Sequence, residues 1–89
     1  MNIYTSSLLQ PVNNVVVLEI EPVTINPNLR SEVSKYSAQG EFISVIMPIV
    51  FCIDNIYCSA GKTRIEIILT YDQLEVGEKI GFKIDQIEE

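Results

Sequence analysis

The stretch FISVIMPIVFCI, residues 42–53, decides the fold class because it is apolar on both faces that an extended chain presents. Ser44 is its only polar side chain, so the alternation of a half-buried strand is missing. Strands of this kind are typical of sheets that are covered on both sides. Pro48 has no amide hydrogen for a ladder, and we expect a bend or bulge there that splits the stretch at a barrel corner or a sheet edge.

The amino-acid composition favours strands along the whole chain. The 89 residues include fourteen Ile and nine Val, but only two Ala and six Leu. Branching at Cβ restricts a side chain in a helix and suits a pleated sheet, whereas Ala and Leu are the strongest helix formers. Residues 14–24 have one fully apolar face, whereas Glu19 lies on the other face with Val15 and Val17. Residues 79–87 alternate as a half-buried strand does. The positions predicted to face the core are Val16, Leu18, Ile20, Ile80, Phe82 and Ile84.

Residues 28–38, NLRSEVSKYSA, fit two local structures. In a short helix, Leu29, Val33 and Tyr36 would share one face, and Gly40 would end the helix. The segment KYSAQGEF also fits a hairpin loop between two strands. We favour the hairpin because the segment contains few strong helix formers.

The length of the chain and its turn residues indicate a single β-rich domain over residues 1–89. Five to seven short strands separated by turns predict an all-β, mainly antiparallel fold, either a small barrel or a sandwich. A short helix at residues 28–38 stays open as an alternative element.

Gly61-Lys62-Thr63 matches the end of a phosphate-binding Walker A loop, but the rest of that motif is absent. Its first glycine would fall on Ile56, and a strand pattern rather than a helix follows Thr63. We therefore interpret Gly61-Lys62 as the two central residues of a type II′ hairpin turn. The facing pairs that this turn predicts are Ala60 with Thr63, Cys58 with Ile65, and Ile56 with Ile67.

Lys62, Thr63 and Arg64 form the candidate ligand-binding site. The two bases lie close together in an otherwise acidic chain, and consecutive backbone amides can hold an anion. In an oligomer, several such hairpin tips would surround one ligand. An oligomer that binds a small phosphate- or nucleotide-bearing ligand is therefore the alternative function.

The sequence offers little for catalysis. It contains no histidine, so Ser-His and Cys-His nucleophile pairs are excluded. Asp54 and Asp72 are the candidate carboxylates for acid–base chemistry, but both occupy ordinary turn positions, and Glu66 lies within a strand. Cys52 and Cys58 lack the further ligands that a zinc site needs, and we interpret them as small apolar residues. We therefore predict no enzyme, no cofactor and no metal.

The net charge of −6 opposes binding to nucleic acid or to an anionic membrane surface and favours a basic protein partner. The start of the chain has no signal-peptide pattern, and residues 42–53 are shorter than the roughly 20 residues that cross a bilayer. We therefore expect a cytoplasmic protein with reduced thiols. Abundant Ile and Asn with little Ala hint at an AT-rich genome, as in phages and low-GC bacteria.

A surplus of apolar strand surface leads to the functional prediction. One sheet face fills the core of so short a chain, and the other face of residues 42–53 then needs cover that the chain has little left to supply. A second copy is the expected cover, with Phe42, Ile46, Ile49 and Phe51 at the interface. We thus expect a non-enzymatic interaction or assembly protein that forms homo-oligomers. A related hypothesis is an acidic inhibitor or accessory protein, of viral or low-GC bacterial origin, that caps a basic protein.

Overall fold

The computed structural model describes residues 2–23, 29–54 and 61–86, which form seven β-strands and no helix. The strands are β1 (Asn2–Thr5), β2 (Val15–Ile20), β3 (Leu29–Tyr36), β4 (Phe42–Ile46), β5 (Val50–Asp54), β6 (Thr63–Ile68) and β7 (Lys79–Gln86). All the ladders between them are antiparallel. The predicted all-β, antiparallel fold is confirmed.

The strands form two sheets. The first sheet has the order β1-β7-β3-β4, and the second has the order β2-β6-β5. Within the described ranges no strand pairs across from one sheet to the other, which corresponds to a sandwich. Each sheet therefore has two edge strands: β1 and β4 in the first, β2 and β5 in the second.

The core lies between the two sheets and is built from the alternating faces of the strands. Its buried apolar side chains are Val16, Ile20, Val33, Ile65, Ile67, Leu69, Ile80, Phe82 and Ile84. Phe82 on β7 contacts Phe51 on β5, with 5.5 Å between the ring centroids, so aromatic contact joins the two sheets. The predicted inward faces of β2 and β7 are confirmed, with Leu18 only partly buried.

Residues 29–38, the described part of the segment 28–38, form a strand followed by a turn, and the helix alternative is wrong. β3 and β4 form a hairpin whose loop contains a hydrogen bond from Gly40 N to Ser37 O at 2.9 Å. Gly40 has a φ of 87°, a left-handed conformation that glycine adopts at little cost. The strand is more stable here than a short helix because eight residues of β3 pair with β7, and a lone short helix would not have these partners.

The predicted two-residue turn at Gly61-Lys62 is wrong, although a strand rather than a helix does follow it. The observed pairs are Ile53 with Ile65 and Phe51 with Ile67. The predicted partners Ile56, Cys58 and Ala60 lie outside the described residues. The hairpin partner of β6 is β5, which belongs to the apolar run around Pro48 and ends at Asp54. Residues 55–62 therefore separate these two paired strands, instead of the predicted two.

Pro48 separates β4 from β5, as predicted. The chain leaves the first sheet after Ile46 and enters the second sheet at Val50. Ile49 N donates a hydrogen bond to Ile68 O at 2.9 Å at the entry to the second sheet. The single apolar stretch thus contributes one edge strand to each sheet.

Replacing Gly81 with alanine is expected to lower the free energy of unfolding by about 1–3 kcal/mol, because overpacking forces neighbouring groups to move. Gly81 lies on β7 beneath the ring of Tyr36, and a Cβ at this position would lie 2.8 Å from Tyr36 Cε2. Urea unfolding followed by circular dichroism measures the loss. In a Tyr36→Ala background the same substitution should cost little, and an equal cost in both backgrounds would contradict the explanation.

Candidate interaction surface

The exposed apolar side chains of the described residues are concentrated on one side of the sandwich. They follow one another along β4, the connection after it and the start of β5. This set, called the apolar edge below, consists of Phe42, Ile43, Val45, Met47, Ile49 and Val50. Other exposed apolar residues are spread over β2 and the loops, and single exposed residues of that kind are common in proteins.

A β-bulge turns part of β4 outward. Lys35 faces Ser44 across the ladder, whereas Tyr36 faces Phe42, so Ile43 is an additional residue in β4. The bulge moves Phe42 to the outer face of the first sheet, where its ring meets that of Tyr36 edge-on at a centroid distance of 5.9 Å. Phe42 keeps 60% of its surface exposed. The bulge therefore adds an aromatic ring to the apolar edge.

A groove runs beside the apolar edge, where the two sheets separate. Its volume is about 340 Å³, and most of its wall is apolar. The residues that line it are Ser31, Glu32, Val33, Val45, Ile46, Met47, Pro48 and Phe51. Gln73 donates a side-chain hydrogen bond to the carbonyl of Met47, which holds the end of β4 in place. The groove shares Val45 and Met47 with the apolar edge, and Ser31 and Glu32 form the polar part of its wall.

The four residues predicted for the oligomer interface occupy two environments. Phe42 and Ile49 are exposed members of the apolar edge. Ile46 and Phe51 are partly buried and pack against the core, where they also line the groove. Exposed members such as Val45 were missed, because regular alternation gives no sign of the bulge or of the open sheet edge.

The structure does not bring Lys62, Thr63 and Arg64 onto one surface. Lys62 is exposed, but Thr63 is fully buried and its Oγ1 accepts a hydrogen bond from Val23 N at 3.1 Å. Arg64 points to the opposite side of β6, with its Nη2 3.6 Å from Glu66 Oε2. Ligand binding by these residues stays a prediction, and their placement gives it no geometric support.

The candidate carboxylates and the described thiol are also separated. Asp54 ends β5 opposite Arg64, near the start of β6, whereas Asp72 lies in the turn beyond the end of β6. A side-chain hydrogen bond from Thr70 lowers the pKa of Asp72, which is fully exposed. Cys52 is a free, exposed thiol, not a buried apolar residue. Among the described residues, no three acidic, Cys or His side chains gather in a way that could hold a metal ion.

The fold and its surface define an all-β protein of two antiparallel sheets with one apolar edge. The described part of the chain has no helix of the length and hydropathy that crossing a membrane requires. Comparison with protein-family models, curated proteins and solved structures finds no match to this chain.

Proposed function

We propose that this protein is a non-enzymatic assembly protein that self-associates, with a second copy covering the apolar edge. The observation that supports the proposal is the grouping of six exposed apolar side chains on β4, the start of β5 and the connection between these two edge strands. Burial of apolar surface drives association of this kind. A contiguous exposed apolar patch marks an interaction site more often than a feature of an isolated monomer.

The size of the apolar edge suits a dimer. Its six residues are between 37% and 82% exposed. At about 200 Å² for each fully exposed residue, they present roughly 700 Å². A standard interface buries about 800 Å² on each partner, so a matching face on a second copy would give an interface of ordinary size.

The charge distribution allows two copies to meet at this surface. Residues 42–53 contain no charged side chain, although the chain as a whole has a net charge of −6. Two copies that meet along the apolar edge therefore place no like charges directly against each other. Their overall repulsion acts at longer range, where salt screens it.

Light scattering coupled to size-exclusion chromatography is expected to give a mass of twice the 10.0 kDa chain at micromolar concentrations, falling on dilution. Raising the salt concentration should strengthen the association or leave it unchanged, because salt screens repulsion between acidic copies and favours apolar burial. Phe42→Ser, which removes the aromatic ring from the apolar edge, should shift the equilibrium toward the monomer.

The same measurement separates this proposal from its competitors. A 10.0 kDa monomer at every concentration and salt level would contradict self-association. In that case, capture of a basic protein that weakens as salt rises would favour the acidic-inhibitor hypothesis. A dimer that is insensitive to Phe42→Ser and to further substitutions on the apolar edge would place the interface elsewhere.

A further inference from the structure

The direction in which each backbone N–H and C=O of β4 points can be derived from the hydrogen bonds that β7 makes on the side away from β3. Ile80 on β7 exchanges hydrogen bonds with Leu9, and Phe82 O accepts one from Ser6 N, so both β7 residues point their backbone groups away from β3. In an antiparallel ladder the direction alternates residue by residue. The N–H and C=O of Gly81 therefore point toward β3, whereas those of Ile80 and Phe82 point away from it.

The backbone groups of β3 and β4 alternate in direction in the same way, up to the open edge of the sheet. Ser34 faces Gly81 and bonds toward β7, so Val33 bonds toward β4, where it faces Ile46. Val45, the next residue on β4, then points its N–H and C=O away from β3. No strand of the described chain lies on that side of β4. Val45 presents one free donor and one free acceptor in the middle of an apolar surface.

Resting on the proposed self-association, we infer that the second copy binds by antiparallel pairing of β4 with β4, centred on Val45. A two-fold axis at this residue lets each Val45 donate its N–H to the carbonyl of the other. The register then places Ile43 of one copy beside Met47 of the second. The first sheets of the two copies become one eight-stranded sheet.

The side chains of β4 and of Met47, the residue that follows it, match this register. Ile43, Val45 and Met47 are all exposed and are spaced two residues apart, so they share a face in an extended strand. The two-fold pairing brings three such side chains from each copy into one apolar stripe. Pro48 follows directly, and it ends the pairing because it has no N–H to donate.

The other edge strands suit this pairing less well. In the second sheet, β2 contains Glu19 and β5 contains Asp54, so two-fold pairing of either strand brings carboxylates to the dimer contact. In the first sheet, Tyr4 and Thr5, the residues of β1 whose side chains the structure describes, do not belong to the apolar edge. β4 combines an apolar, uncharged strand with free backbone groups, which is the arrangement that strand addition uses.

Disulfide trapping tests the register. The background variant carries Cys52→Ser and Cys58→Ser, which removes both natural thiols. In that background Val45→Cys should form an intermolecular disulfide in oxidised glutathione, because paired residues at a two-fold axis lie about 5.5 Å apart between Cα atoms. The matched control is Val17→Cys, a similarly exposed valine on β2, which should form at least tenfold less cross-linked dimer at equal concentration.

Light scattering of the background variant shows whether the protein is a dimer before any cross-linking, so the β4 pairing and the proposed self-association are tested separately. A dimer that is trapped through Val45→Cys and not through Val17→Cys supports the β4 pairing. A dimer that Val45→Cys does not trap above the control overturns the pairing but leaves self-association in place. A monomer at all concentrations overturns both. If Val45→Cys does not fold by circular dichroism, a Met47→Cys variant is mixed with an Ile43→Cys variant instead. The same register then predicts a disulfide between the two unlike chains.

Discussion

Replacing Phe82 with alanine is expected to lower the free energy of unfolding by about 3–5 kcal/mol, the largest loss that a single core substitution should produce here. Phe82 is 1% exposed and belongs to the core between the two sheets. Its ring is 5.5 Å from that of Phe51 and 6.5 Å from that of Tyr4, measured between centroids. The substitution removes both aromatic contacts and leaves a cavity that β-strands on two sides hold open.

The matched control is Phe42→Ala, the same change at an exposed ring on the apolar edge. Phe42 contacts only Tyr36 among the described rings, and losing an edge-on aromatic pair costs about 0.5–1.5 kcal/mol. Guanidinium unfolding should be compared at several chain concentrations, because association adds to apparent stability. Equal losses for Phe82→Ala and Phe42→Ala at low concentration would contradict the two-sheet core.

The regular strands could be predicted from the sequence because one local rule decides them. In β2, Val16 and Ile20 are buried while Val17 and Glu19 are exposed, and the inward face could be predicted because it is the one that contains only apolar residues. In β7, Ile80, Phe82 and Ile84 follow the same rule. A period of two fixes both the strand and its inward face wherever one side of a sheet is solvated.

The pairing of strands could not be predicted in the same way, because it depends on contacts between distant residues. The turn residues at Gly61-Lys62 suggested a local hairpin, yet Ile65 pairs with Ile53, twelve positions away, and with Leu18 on its other side. The free energy of each pairing depends on the whole sheet rather than on the turn. The sequence of β6 is equally compatible with several partners, since Ile is abundant throughout the chain.

The candidate surface shows the same division between local and non-local information. The lack of alternation in residues 42–53 indicated apolar surface beyond the needs of the core. Which side chains remain exposed depends on the bulge at Ile43 and on the position of β4 at a sheet edge. The bulge has no local sequence signal here, because a bulge in an apolar strand replaces one aliphatic residue with another at the surface. Pro48 indicated a sheet edge only as one of several outcomes, and it did not show which side chains that edge exposes.

Replacing Val45 with lysine is expected to weaken self-association at least about 100-fold, which corresponds to about 2.7 kcal/mol. The two-fold register places the two copies of this residue against each other. One substitution therefore removes both valines from the dimer contact and brings two ammonium groups together. Lysine on an edge strand is also the device by which natural sheets avoid pairing. A dilution series by light scattering or analytical ultracentrifugation measures the change in dissociation constant.

Val17→Lys is the control that separates edge pairing from a general effect of charge. Val17 is 48% exposed and Val45 is 55% exposed, and each lies on an edge strand, but in different sheets. Both substitutions change the net charge of −6 by one unit toward neutrality, which reduces the long-range repulsion between copies. Val17→Lys should therefore leave association unchanged or slightly stronger, while Val45→Lys weakens it. Equal weakening by the two variants would show that neither β4 nor its backbone groups form the contact.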